Sequence, residues 1–289
     1  MTDVDCVLAL GSKLGESPIW CERTARLYWV DSRGPALHSY DWHDRRHRSA
    51  QLPEVVGSIA LCESGGLLAA LRSGIYRCAE DGTLGARLAA PEPDKPENRF
   101  NDGRCDRRGR FWSGTMNDHE RAATGSLWRL DTDLSCTAMR HDIIVPNSIA
   151  WSPDDRRMYF ADTYREHILA FDYDADTGAL ANERLFAACP GPGRPDGSAV
   201  DAEGCLWNAE YGGGRVVRYR PDGTIDRAIG LPVSQPTCCA FGGPALDHLF
   251  ITTATQRLDA AALAAQPLAG GLFVARPGVV GLPEARFGG

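Results

Sequence analysis

Residues 145–162 read VPNSIAWSPDDRRMYFAD: an apolar run (Ile149, Ala150, Trp151), a turn rich in Pro and Asp, and a second apolar run (Met158, Tyr159, Phe160). Two short runs of β-favouring residues about such a turn predict a hairpin. The odd residue is Asn147, because Asn is depleted in strands and here opens one. Internal copies of the segment account for it. Laid over ESPIWCERTARLYWVD from Glu16, it matches Trp151 to Trp20, Tyr159 to Tyr28 and Asp162 to Asp31. The same frame fits NDGRCDRRGRFWSGT from Asn101 and DGSAVDAEGCLWNAEY from Asp196, with weaker copies from Gly57 and Thr237. Successive starts lie 41, 44, 46, 49 and 41 residues apart, which makes six units.

Each unit goes on to a third apolar run, such as GIYRC, GSLWRLD, HILAFDY, RVVRYR or GGLFVAR, and a shorter fourth. Four strands per repeat of this length predict an all-β fold, a six-bladed β-propeller with four-stranded antiparallel blades around a central channel. One domain is expected over residues 1–289. The early run CVLAL precedes the first unit and is expected to supply the outer strand of the last blade, joining the chain ends. A β-sandwich of irregular hairpins is the competing arrangement. Leu258–Gln266, LDAAALAAQ, reads as a short helical excursion in the sixth unit. GGGR at Gly212–Arg215 lies between strands and not before a helix, so it reads as a tight hairpin and not a phosphate cradle.

Composition narrows the class. Apolar residues make up 43% of the 289 and charged residues 24%, enough for a sizeable core. The net charge of −7 is spread along the chain without a Lys/Arg block, so no nucleic acid or anionic membrane partner is expected. No apolar run is long enough to cross a bilayer. The opening MTDVDCVLAL has two Asp and no positive n-region, so no secretory leader is expected. Ten scattered cysteines without a CxxC pair read as reduced core thiols of a cytoplasmic protein. No HExxH, GxSxG or P-loop occurs, and the seven histidines fall mainly in expected turns and outer strands.

In a propeller the first strand of each blade lines the channel. The residues opening the six units are Glu16, Gly57, Asn101, Asn147, Asp196 and Thr237. Two carboxylates and two amides are therefore expected at one mouth. Carboxylates gathered without a cation repel and raise one another's pKa. A divalent metal relieves this; oxygen donors suit Ca²⁺, Mg²⁺ or Mn²⁺, and Zn²⁺ and Fe²⁺ also accept carboxylates. The alternative is that these side chains cap strand ends and bind only water.

LGESPIW, ENRFNDGRCDRRGRFWSGTM, PNSIAWSPDDRRMYFAD, PDGSAVDAEGCLW with GGGRVVRY, and GGPALDHLFITTA followed by QPLAGGLF together resemble the gluconolactonase/regucalcin family of sugar-lactone hydrolases. The match runs nearly end to end. The resemblance implies a six-bladed propeller with one divalent metal held by a Glu, an Asn and an Asp, here Glu16, Asn147 and Asp196. It implies Arg99 and Asn101 as substrate-binding residues, with Asp102 supporting them. After Gly114-Thr115-Met116 the family often has a Glu that contacts sugar hydroxyls; His119 takes that place here.

These parts predict metal-dependent hydrolysis of an aldonolactone such as glucono-, xylono- or arabinonolactone. The metal polarises the carbonyl, and Asp196 serves as ligand and as general base on the attacking water. Arg99 and Asn101 hold ring and exocyclic oxygens. The expected partner is a small sugar lactone, and the expected state a monomer or weak homo-oligomer. Three other readings compete: a non-catalytic Ca²⁺-binding regulatory propeller, an arylesterase- or phosphotriesterase-like hydrolase, and a scaffold for protein partners.

Overall fold

The six repeats fold as six four-stranded antiparallel sheets, the blades of a β-propeller. The computed structural model describes residues 4–189 and 191–289. Met1–Asp3, whose charge weighed against a leader, lie outside them. Blade 1 runs outward from Gly15–Cys21 through Arg26–Asp31 and Ala36–Asp41 to His47–Gln51. The inner strands of blades 2 to 5 are Val56–Cys62, Asn98–Cys105, Pro146–Trp151 and Arg194–Val200. Blade 6 is built from Pro236–Gly242, His248–Thr253 and Leu272–Ala275, and Val4–Leu8 is its fourth strand. Val4 pairs with Ala275 and Leu8 with Leu272, so both ends of the propeller meet in one sheet. That is the closure expected of CVLAL, shifted two residues towards the N-terminus.

The apolar alternation explains why sheets stack around an axis. Side chains of a strand point alternately to its two faces. In blade 2, Ile59 and Leu61 pack against Tyr28 and Val30 of blade 1, while Ala60 and Cys62 pack with Phe100 and Phe111 of blade 3. Both faces are buried, so Leu67–Leu71 reads LLAAL with no polar residue. The hydrophobic clusters lie between neighbouring blades, the last joining blade 6 (Phe250, Leu272) to blade 1 (Trp20, Trp29). All ten cysteines are unpaired and eight are buried. Gly212 and Gly214, at φ 81° and 63°, turn the hairpin between Leu206–Tyr211 and Arg215–Tyr219. The helix Ala260–Ala265 is capped by Asp259, which accepts from Ala262 N at 2.8 Å. No helix among the described residues is long and apolar enough to cross a membrane.

A short strand near the C-terminus has no counterpart in the repeat. Arg286–Phe287 pairs in parallel with Leu61–Cys62 at the end of the blade 2 inner strand, and Phe287 is wholly buried in the core shared by blades 2 and 3.

All six inner strands carry a bulge near the channel mouth. A bulge adds one residue to a strand and re-aims the side chains around it. This corrects the single frame read from the sequence. Glu16 and Asn147 stand just before the bulge, opposite Val30 and Ala161, and the Ser after each is left-handed (Ser17 φ 51°, Ser148 φ 62°). In blades 3 and 5 the corresponding places belong to Phe100 and Pro195, and Asn101 and Asp196 lie one residue on, inside the bulge. Gaps and matches in the repeat could not reveal that step, because the offset is absorbed within the strand.

The same pairing of blades recurs in the buried aspartates. In blades 1 and 4, Asp31 accepts from Lys13 N and Leu14 N, and Asp162 from Ile144 N and Val145 N, fastening the loop that leads into each inner strand. In blades 3 and 5, Asp106 accepts from Trp112 Nε1 at 2.9 Å and Asp201 from Trp207 Nε1 at 2.8 Å. Asp106 also takes Arg110 Nε at 2.6 Å and the Tyr173 hydroxyl at 2.6 Å. Replacing it by Ala strands a buried guanidinium, a phenol and an indole N–H. Asp106→Ala is expected to lower unfolding free energy by about 3–5 kcal/mol in urea titration. A loss below about 1 kcal/mol would show that water or a rearranged neighbour satisfies these donors.

Candidate functional site

A cavity of about 170 Å³ opens at the channel mouth. Its wall includes Glu16, Arg99, Asn101, Asn147 and Asp196, four of them residues that open repeats. Gly57 and Thr237 contribute structure at the same level. A Cβ on Gly57 would lie 2.4 Å from Phe100 O, so only glycine lets blades 2 and 3 approach there. Thr237 donates its hydroxyl to Gly15 O, the residue before Glu16.

The polar side chains form one chain of hydrogen bonds across the blades. Arg99 donates Nη1 to Asn101 Oδ1 at 2.7 Å, and Asn101 donates Nδ2 to Asn147 Oδ1 at 3.0 Å. Asn147 donates Nδ2 to Thr163 Oγ1 at 2.7 Å, and Thr163 donates its hydroxyl to Pro195 O at 2.9 Å, next to Asp196. Because Thr163 must accept from Asn147, the amide is oriented with its oxygen towards Asn101, and that oxygen keeps a second lone pair. Asn208 supports the far side by donating to Asp196 O at 2.9 Å.

The carboxylates are poorly satisfied by protein. Asp196 is 5% exposed, and its buried Oδ1 has no hydrogen-bond partner. Burial raises the proton affinity of Asp196, and the neighbouring Asp102 raises it further. Glu16 is raised by burial, then by Asp196 and Asp102. Two neighbouring acids whose ionisation burial and nearby carboxylates oppose, one of them with an unpartnered oxygen, match a site built for a cation. Among the described residues no three His, Cys, Asp or Glu form a metal shell by themselves. The donors gathered here are carboxylate and amide oxygens together.

Asp102 does not line the cavity. Its Oδ2 accepts from Ile149 N at 3.1 Å and its Oδ1 from Gly103 N at 2.9 Å, so it fastens blade 3 to the bulge of blade 4 beneath Asn147. His119 reaches the cavity rim, mostly exposed, with Nε2 3.1 Å from Glu97.

Several residues of the site escaped sequence reasoning. Asp118 is the foremost: its side chain is 3% exposed and receives Arg99 Nε at 2.8 Å, Arg33 Nη1 at 3.1 Å, and Arg72. Burial alone would raise its carboxyl, but Arg33 and Arg99 hold it well below the ordinary range. Arginines from blades 1, 2 and 3 thus meet on one acid. Asp118 lies two residues past Met116, but nothing in the sequence says that Arg33 and Arg72 reach it. Thr163, the residue after the repeat's Asp162, and Tyr211 were also missed. Tyr211 lines the cavity, its phenol pushed up to about 12 chiefly by burial.

Residues 14–255 match the family model described as SMP-30/Gluconolactonase/LRE-like region. The chain is 42% identical to a 6-deoxy-6-sulfogluconolactonase of Pseudomonas putida, over 98% of each chain. It is 38% identical to an L-arabinolactonase of Azospirillum brasilense, over 96% of this chain and 92% of that one. A crystal structure of a calcium-binding protein, regucalcin, from Agrobacterium tumefaciens superposes with a TM-score of 0.94. It is 32% identical and covers 99% of this chain and 97% of that one.

Asp118 yields a pH signature. A carboxyl lowered by folding adds stability that is present above its unfolded pKa, about 3.9, and is lost as pH falls towards the folded value. Asp118→Asn is expected to cost about 3 kcal/mol at pH 7, because a buried Arg99 loses its counter-charge. The gap from the unmodified protein should narrow as pH drops below about 4. Urea titrations at pH 7, 5 and 3 measure it; a gap independent of pH would show that the charge of Asp118 is not what stabilises the cluster.

Proposed function

The chain belongs to the SMP-30/gluconolactonase/LRE-like family, and on that premise we propose that it hydrolyses a sugar-derived lactone to the aldonic acid. The observation that carries this reading is the buried, unpartnered Oδ1 of Asp196 beside Glu16, in a cavity that also presents Arg99 and Asn101. Relatives named for lactone hydrolysis, 6-deoxy-6-sulfogluconolactonase and L-arabinolactonase, support the reaction class.

Glu16, Asn147 and Asp196 would hold one divalent cation. The orphaned Asp196 oxygen, the free lone pair of Asn147 Oδ1 and the raised proton affinity of both acids fit such a group. Oxygen donors suit Ca²⁺, Mg²⁺ or Mn²⁺ and admit Zn²⁺ or Fe²⁺, and a similar structure is that of a calcium-binding regucalcin. When bound, the cation supplies Lewis-acid stabilisation of the negative charge that develops on the carbonyl oxygen.

The residues do the rest. Asp196 accepts a proton from water as its oxygen bonds to the carbonyl carbon, and returns that proton to the ring oxygen as the C–O bond breaks. Asn101 is oriented by Arg99 on one side and Asn147 on the other, so its position relative to Asp196 is set before substrate arrives. Arg99 is anchored through Nε and Nη1, which leaves Nη2 to donate to a substrate oxygen or to the carboxylate formed. His119, at the rim, stands where sugar hydroxyls would enter.

A panel of glucono-, xylono- and arabinonolactones, assayed after chelation and re-addition of single metals, tests the proposal. Activity should vanish with the metal and return with at least one cation, after subtraction of spontaneous and metal-only hydrolysis. Metal-bound but inactive protein across the panel would favour a calcium-binding regulatory role.

Asp196→Asn separates ligand from base. It keeps size and one oxygen donor but removes charge and basicity. The variant is expected to bind metal more weakly, with kcat depressed by roughly 10²–10⁴-fold even at saturating metal. Full recovery with excess metal would remove the base role and leave Asp196 as ligand alone.

A further inference from the structure

Tyr164 stands at the cavity mouth on the 3-10 turn Thr163–Arg165, directly after the threonine that orients Asn147. Three guanidinium groups gather around it, two over its ring and one at its hydroxyl. Arg121 lies 4.3 Å from the centroid and Arg194 5.2 Å, and Arg257 donates Nη1 to the phenol oxygen at 3.1 Å. Arg194 is balanced by Glu166, Nε to Oε1 3.1 Å. Arg121 and Arg257 have no ion pair among the described residues, and both line the cavity.

The inner arginines differ from these two. Arg33, Arg72 and Arg99 are each held in an ion pair with Asp118. Glu120 also lines the cavity, yet makes no ion pair with Arg121 or Arg257, and Glu97 is engaged by His119. A guanidinium stays charged at any working pH. Arg121 at the ring face and Arg257 at the phenol oxygen, both exposed, have no counter-charge among the described residues. Their forked donors suit an oxyanion. Glu16 and Asp196 would repel such an anion beside the reacting ester, so its place is the arginine-lined rim.

We propose that Arg121 and Arg257, positioned by Tyr164, receive an anionic group carried by the substrate at the end remote from its lactone carbonyl. The group is a sulfonate, phosphate or carboxylate, and the lactone preferred by this chain is an anionic one. This rests on the lactonase reading of the same cavity and adds its substrate class. In a chain of net charge −7, the rim also offers a local positive field to an approaching anion.

The test compares gluconolactone with gluconolactones bearing a sulfonate, a phosphate or a carboxylate at carbon 6. With the metal-loaded protein, kcat/KM for at least one anionic lactone should exceed that for the neutral one, and added salt should shrink the ratio. Arg121→Ala and Arg257→Ala should each lower the anionic-to-neutral ratio by about tenfold or more, and the Lys variants should keep part of it. Calorimetric binding of the matching aldonates, with and without chelator, reads the same preference without turnover. A ratio near one, or a ratio unmoved by either Ala variant, would overturn the anion site while leaving the lactonase reading intact. Failure to hydrolyse any lactone, together with equal binding of charged and neutral aldonates, would overturn both.

Discussion

The amide-to-amide hydrogen bond between Asn101 and Asn147, 3.0 Å long, couples blade 3 to blade 4 at the centre of the molecule, and the site on either side depends on it. From Asn101 the chain of contacts runs back through Arg99 to Asp118, where arginines of blades 1 and 2 arrive. From Asn147 it runs on through Thr163 to the carbonyl beside Asp196 in blade 5. Arg99, Asn101, Asn147 and Thr163 are all buried, and a buried donor left unpaired costs more than the bond contributes. Five blades therefore share one constraint, and each must seat correctly for the others to be satisfied.

Two ways of presenting a side chain to the channel coexist. Blades 1 and 4 place Glu16 and Asn147 before the bulge and use Asp31 and Asp162 to fasten the entering loop. Blades 3 and 5 place Asn101 and Asp196 inside the bulge and use Asp106 and Asp201 to hold an indole and the following turn. The first pair brings an anion and an amide to the centre, and so does the second. Close packing adds to the precision: a Cβ on Gly197 would lie 2.2 Å from Cys238 Sγ, so the residue after Asp196 presses on the next blade.

Charge is segregated with depth. The centre holds the acids Glu16, Asp196 and Asp102, which burial drives towards protonation, helped at Glu16 by Asp196 and Asp102 and at Asp196 by Asp102. Around them Asp118 gathers three arginines, an excess of positive charge beside an excess of negative. At the rim, Arg121 and Arg257 stand at Tyr164 without an ion pair among the described residues. A ligand entering from solvent meets positive charge first and carboxylates last.

Much of this was legible in the sequence because a propeller repeats itself. Trp20 with Trp151 and Asp31 with Asp162 recur at fixed offsets, so the blade count, the closure by the N-terminal strand and the inner-strand positions of Glu16, Asn101, Asn147 and Asp196 follow from local pattern alone. Those strands are buried on both faces, and burial forces an apolar code that breaks only where a side chain must face the channel. What the repeat does not encode is contact between non-equivalent positions. Asp118 meets Arg33 across 85 residues and Arg72 across 46, and Arg286–Phe287 adds to blade 2 from the far end of the chain. The one-residue step between Glu16 and Asn101 is likewise silent, because both inner strands carry the same bulge and only the ladder register tells which of its positions bears the polar side chain. Sequence determined which residues surround the channel, since periodicity is a local property. Only the tertiary structure decided which of them bond to one another, since that depends on how six separately specified sheets close into a ring.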